Sequence, residues 1–269
     1  MLLLASGCGR FGYEALPIDG GAVLDAGRDA AIMDARPFDA PVDAPSVDAP
    51  SVDAAVPPDA PSARELICRD AIACLDFEAP FAPPLVVDNE TGSSAPTRDV
   101  LRPFRGSALH LHASSVVSTT SRIVYPVPSA LFAAGAVYLS AWVRVEREEI
   151  PAYLALLEFN NALPGARFMK ISVDQQLGEV LGLFTPSEYL RRAGFPSARW
   201  VCLELSVRPE LAATNARASV DGVSLNKTDP LDPGVFQNAT IALAAETGTH
   251  DVWFDDVYIG TRDVGCLPE

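Results

Sequence analysis

Residues 137–146 alternate strictly between apolar and polar side chains, and this pattern restricts the chain more than any other feature. In V-Y-L-S-A-W-V-R-V-E, Val137, Leu139, Ala141, Val143 and Val145 fall on one side. Tyr138, Ser140, Trp142, Arg144 and Glu146 fall on the other. A period of two belongs to a half-buried β-strand, because successive side chains point to opposite faces of a sheet. Residues 200–208 repeat it, with Val201, Leu203, Leu205 and Val207 on the apolar side. Residues 168–173, 179–184, 216–220, 240–245 and 252–259 read as further strands, and 108–112 and 122–125 as shorter ones. Turn signals separate them: Leu163-Pro164-Gly165, Asp221-Gly222, Asp232-Pro233-Gly234 and Thr247-Gly248. Only 129–134 and 187–192 are compatible with a turn or two of helix. Many short strands with such punctuation predict an all-β domain over residues 64–269, a two-sheet antiparallel jelly-roll sandwich.

The chain ahead of that block is of another kind. Asp-Ala recurs at Asp25, Asp29, Asp34, Asp39, Asp43, Asp48, Asp53 and Asp59. Pro37, Pro41, Pro45, Pro50, Pro57, Pro58 and Pro61 interrupt the repeat. Proline removes backbone donors and disfavours helix before it. Ala and Val are too small to offset the entropy of ordering, so residues 9–63 are expected to be a disordered acidic spacer. Like charges and proline extend such a linker, and the forty-odd residues from about 19 to 62 reach up to roughly 120 Å at about 3 Å per residue. Similar Asp-Ala-Pro spacers follow the lipidated cysteine of myxobacterial lipoproteins.

At the front, Leu3-Leu4-Ala5-Ser6-Gly7-Cys8 resembles a bacterial lipobox. The resemblance makes residues 1–8 the end of a lipoprotein signal peptide and Cys8 the lipidation site. It implies a membrane tether by lipid alone at the bacterial cell envelope, and Gly9 rather than Asp after the cysteine favours the outer membrane. The formal net charge of −15 without a basic stripe excludes nucleic-acid binding by phosphate neutralisation.

The folded block carries a further resemblance. It opens with Cys74-Leu75-Asp76-Phe77-Glu78 and continues with Gly106-Ser107-Ala108-Leu109-His110-Leu111. Residues 138–145, Trp200-Val201-Cys202-Leu203-Glu204 and Ala218-Ser219-Val220-Asp221-Gly222 come next. It closes on Trp253-Phe254-Asp255-Asp256-Val257-Tyr258-Ile259-Gly260, then Gly265-Cys266. In that order these segments resemble the concanavalin A-like lectin/glucanase superfamily, in particular LamG-like jelly rolls. The resemblance places the first and last strands side by side, where acidic residues hold a structural Ca²⁺. Asp76, Glu78, Asp255 and Asp256 are the candidates, since Ca²⁺ takes hard oxygen ligands. Alternation separates Asp255 from Asp256, so both face one site only if a bulge intervenes. The resemblance also implies a sheet face whose aromatics stack on sugar rings: Tyr138, Trp142 and Arg144, with Trp200 and Glu204 beside them.

Setting Cys8 aside, Cys68, Cys74, Cys202 and Cys266 form an even set, which in an exported domain argues for two disulfides. Three pairings are open; Cys68–Cys74 and Cys202–Cys266 are preferred. The spacings fit no common zinc pattern. His110 and His112 share a face if 108–112 is a strand, but no third ligand is evident in the sequence, and His250 stands alone. No glutamate has an aspartate two residues on, so the E-x-D-x-x-E of laminarinase-type hydrolases is missing, and no G-x-S-x-G or P-loop is present. No catalytic residue is assigned. The sequence thus points to a non-catalytic module that binds glycan or an envelope or surface protein. A polysaccharide-active enzyme with unrecognised residues and a purely structural envelope protein are the alternatives.

Overall fold

The computed structural model describes residues 61–81, 84–89, 95–115, 119–146, 153–161, 168–174, 180–185, 189–192, 195–196, 198–209, 215–226, 236–245 and 248–268. Cys8 and the spacer up to residue 60 lie outside the described residues. Ser62 caps the first described helix, α1 (Ala63–Arg69). The Ser62 hydroxyl accepts from the Glu65 amide, and the Glu65 carboxylate accepts from the Ser62 amide. This reciprocal arrangement satisfies two orphan donors of the first turn.

Beyond α1 the chain forms the expected two-sheet sandwich of antiparallel strands. The eight-stranded sheet contains β1 (Ala73–Leu75), β3 (Thr97–Asp99), β4 (Ala108–Ser115), β6 (Val137–Val145), β11 (Trp200–Val207), β12 (Ala216–Val220), β13 (Val223–Asn226) and β15 (Gly248–Gly260). Its order is β13-β12-β11-β6-β15-β4-β3, with β1 beside β15. The first and last strands are therefore neighbours, Cys74 opposite Tyr258. The second sheet has seven strands: β2 (Val86–Asn89), β5 (Thr119–Pro126), β7 (Tyr153–Asn160), β8 (Phe168–Asp174), β9 (Val180–Phe184), β10 (Tyr189–Arg192) and β14 (Asn238–Ala245). They run in the order β10-β9-β8-β7-β14-β5-β2.

The inner faces carry the predicted alternation. Val137, Leu139, Ala141, Val143 and Val145 of β6 meet Val201, Leu203, Leu205 and Val207 of β11 in one buried core. From the other sheet come Ile123, Leu157, Phe159, Ile171, Ile241 and Leu243. Helix α2 (Ser129–Ala134) closes one end, where Phe132 packs edge-on against Phe159 and Phe236. Residues 189–192, compatible with helix in the sequence, form an edge strand paired with β9 instead. Among the described residues no helix is long and apolar enough to cross a membrane.

Two disulfides tie the periphery to this frame. Cys68–Cys74 joins α1 to β1, and Cys202–Cys266 joins β11 to the C-terminal tail. Tail residue Leu267 enters a second small core with Tyr138 and Tyr258.

Candidate functional site

Each sheet turns one face away from the core, and these outer faces differ. On the eight-stranded sheet, Trp142 lies opposite Cys202, Arg144 opposite Trp200, and Ser140 opposite Glu204. The five residues expected to form a binding surface do share this face, where the chain's own residues pack on them and leave Trp142, Arg144 and Trp200 partly exposed. The Ser140 hydroxyl donates to the Gly265 carbonyl at 2.5 Å, and the Trp142 indole N–H to the Leu267 carbonyl at 3.3 Å. Phe104 stacks on Trp142 at 4.2 Å and stands edge-on to Trp200. Tyr138 is buried beneath the Arg208 guanidinium. Arg144 is held by Glu146 through two hydrogen bonds of 2.9 and 2.8 Å. The aromatics face away from the core as the alternation predicts; their partners are protein rather than sugar. The sequence hides this because the cover comes from residues 104 and 262–268, remote from the strands.

Glu204 is buried in that covered face. Burial, and then the nearby Asp263 carboxylate, push its pKa up to about 7, against the pull of Arg217 and Arg208. Arg208 in turn pairs with Asp263.

The acidic corner also departs from expectation. A bulge does intervene between Asp255 and Tyr258, with Asp256 at φ 48°, and both aspartates are fully buried. Arg64 and Arg105 both reach the Asp256 carboxylate. Asp255 accepts from the Arg105 and Asp256 amides at 2.8 Å each, and burial still raises its pKa to about 6. Burial raises the pKa of Asp256 as well, while the two arginines oppose the rise. Glu78 turns to the Ser107 amide at 2.7 Å, and Asp76 accepts from the Glu78 amide at 3.1 Å. Gly106, at φ +50°, permits this approach: a Cβ there would stand 1.7 Å from the Glu78 Oε1. Guanidinium groups stand where the expected Ca²⁺ would have to bind, so the residues present do not fit that ion. The corner is an ion-pair network that fastens α1 and the 104–106 turn to β15.

The outer face of the seven-stranded sheet has no counterpart in the sequence reading. Thr240 of β14 lies opposite Glu158 of β7, and Glu158 opposite Lys170 of β8. Asn160 donates to Glu158 at 3.0 Å and to Thr240 at 3.1 Å, and accepts from Asn238 at 3.0 Å. Arg122 of β5 lies opposite Ala242. Ala155, Ser172, Thr240 and Ala242 point away from the core, yet none is more than 3% exposed. The middle of this face is therefore closed to solvent, while Arg122, Glu158 and Lys170 along it stay partly exposed. The Ser172 hydroxyl there has no hydrogen-bond partner among the described residues. Burial raises the pKa of Glu158, opposed by Lys170, Asn160 and Arg122; burial lowers that of Lys170, opposed by Glu158. The result is a polar face with donors, acceptors and one partly desolvated charge pair, groups of the kind that hydroxyl-rich ligands use.

Comparison with known proteins places the fold. No protein-family model matches this sequence, and no curated protein matches it either. Among solved structures, the chain is similar to "Cellulose induced protein, Cip1", with a TM-score of 0.52 and 15% identity over 72% of this chain and 99% of that one. A sialidase gives a TM-score of 0.49 at 10% identity, covering 72% of this chain and 19% of that one. The binding domain of botulinum neurotoxin DC, in complex with rat synaptotagmin II, gives 0.48 at 12% identity, covering 74% and 49%. The chain thus spans nearly all of the first structure's chain and less than half of the other two.

Proposed function

We propose that this chain displays a glycan-binding jelly-roll module at the bacterial cell envelope, held by an acylated Cys8 and spaced from the membrane by its acidic segment. The ligand lies along the outer face of the seven-stranded sheet. One observation carries this reading: the face gathers Arg122, Glu158, Asn160, Lys170, Asn238 and Thr240 on neighbouring strands, around a Ser172 hydroxyl that has no hydrogen-bond partner among the described residues. Sugar hydroxyls donate and accept at once, as do the amide and hydroxyl groups gathered here. Binding of the full chain to a glycan array tests the reading. Recognition of at least one polysaccharide class, weakened by Asn160→Ala, supports it; no binding to any glycan removes it. Mass spectrometry of the native N-terminus tests the tether, and an unmodified Met1 in the mature protein removes that part alone.

A second reading has its own support. Glu158 and Lys170 lie opposite each other on neighbouring strands with pKa values moved toward one another, which is how acid–base pairs are prepared for proton transfer. A polysaccharide-active enzyme built on this pair would release reducing ends or unsaturated products, and Glu158→Gln would abolish that release.

A further inference from the structure

Away from both the seven-stranded sheet's polar face and the acidic corner, the structure supplies a third ligand for the two histidines of β4. His110 and His112 project from the same face of that strand, and Asp251 projects from β15, directly opposite His112. The Asp251 Oδ1 lies 2.7 Å from the His110 Nε2 and 2.9 Å from the His112 Nδ1. The three ligand atoms lie within 4.8 Å of one another. No sequence spacing would show this, because the carboxylate follows the histidines by 141 and 139 residues.

We propose that His110, His112 and Asp251 form a binding site for a divalent transition-metal ion of the zinc class. Two imidazole nitrogens and one carboxylate oxygen match the preferences of Zn²⁺, Cu²⁺ and Ni²⁺, and not those of Ca²⁺ or Mg²⁺, which take oxygen ligands alone. The side chains are 23%, 34% and 30% exposed, so an ion has access from solvent and keeps water in its remaining positions. The ring of His110 lies flat on Trp253, with centroids 4.6 Å apart and planes within 5°. The Trp253 indole N–H is fixed by the Asp99 carboxylate at 2.7 Å. The backbone of Asp251 is fixed too, its carbonyl accepting from the Glu146 amide at 3.2 Å. These contacts orient the ligand set in the way outer-shell partners orient metal-bound histidines. Coordination requires the neutral tautomer of each ring that leaves its metal-facing nitrogen unprotonated. The ring proton then sits on Nδ1 of His110 and on Nε2 of His112. The hydrogen bonds now running to Asp251 give way to bonds through the ion.

Zinc titration of the full chain by calorimetry, after treatment with chelator and at about pH 7.5, tests the site. One ion per chain is expected at the histidine site, with Ca²⁺ unable to displace it. His112→Ala and Asp251→Asn should each weaken it by more than about tenfold, the least that loss of an outer-shell partner costs. The chain has three histidines, so imidazole NMR signals report the site without any substitution. Zn²⁺ should shift His110 and His112 and leave His250 unmoved. Unchanged zinc affinity in both variants, or no shift of the two signals at saturating zinc, overturns the proposal. The NMR readout decides it even if a variant fails to fold.

Discussion

The two outer faces of the sandwich use similar strands to opposite ends. On the eight-stranded sheet, Trp142, Trp200 and Tyr138 invite comparison with a sugar-stacking platform. There the chain has folded its own tail and the 104–106 turn over them, so that Phe104 takes the stacking position. On the seven-stranded sheet, β5, β7, β8 and β14 present no tryptophan among their residues, and the polar groups of Glu158, Asn160, Lys170 and Thr240 share one face. Aromatic residues opposite an apolar stripe mark a face that is covered by something. They do not reveal whether the cover is a ligand or the protein itself.

Four measurements sharpen this contrast. The largest effect belongs to the covered face. Replacing Cys202 and Cys266 together by serine should cost about 4 kcal/mol in urea unfolding on the chain-entropy account. It should free the tail from Trp142, seen as a red shift in tryptophan emission, and leave glycan binding in place below the melting point.

Next comes the pH dependence of Glu204. Its folded-state pKa of about 7 lies above the ordinary value of 4.5. The folded state therefore favours the protonated acid, and the resulting stability is fully present below pH 4.5 and lost as the pH rises through 7. Wild-type protein should lose at most about 3 kcal/mol from this group between those limits. Glu204→Gln should lack that component and be the more stable of the two at pH 8 and about equal at pH 4.5; a profile parallel to wild type would contradict the assignment.

The third measurement concerns the polar face of the seven-stranded sheet. Asn160→Ala removes the amide that joins Glu158, Thr240 and Asn238, and should lower glycan affinity by about tenfold, the worth of one well-placed hydrogen bond. The smallest effect is expected from Trp142→Phe, which keeps an aromatic ring under Phe104. It should change glycan affinity by less than about twofold, since a covered side chain touches no ligand.

The sandwich is legible wherever one face of a strand is apolar and the other is not. β6 and β11 read as strands for that reason, and the inward-facing set of each is the one the alternation predicts. β7 is not legible. A register shift between Ala155 and Leu157 places an extra residue in its middle, so that Leu154-Ala155-Leu156-Leu157 loses the period of two. Without β7, Glu158 and Asn160 have no face to belong to, and the polar face they form with Lys170 and Thr240 stays hidden. The acidic corner is half legible. Proximity of β1 and β15 follows from the family resemblance, but Arg64 on α1 and Arg105 on a turn give no sign that they neutralise Asp256. Long-range pairing decides each of these outcomes, and a single strand's pattern carries none of it.

The central claim is that ligand binds the seven-stranded sheet and not the aromatic face. It is tested most directly by measuring, side by side, the affinity of wild type, Asn160→Ala and Trp142→Phe for whichever polysaccharide the array identifies. A loss of about tenfold is predicted in the first variant and no change in the second. Weakened binding in Trp142→Phe with full binding in Asn160→Ala would contradict it.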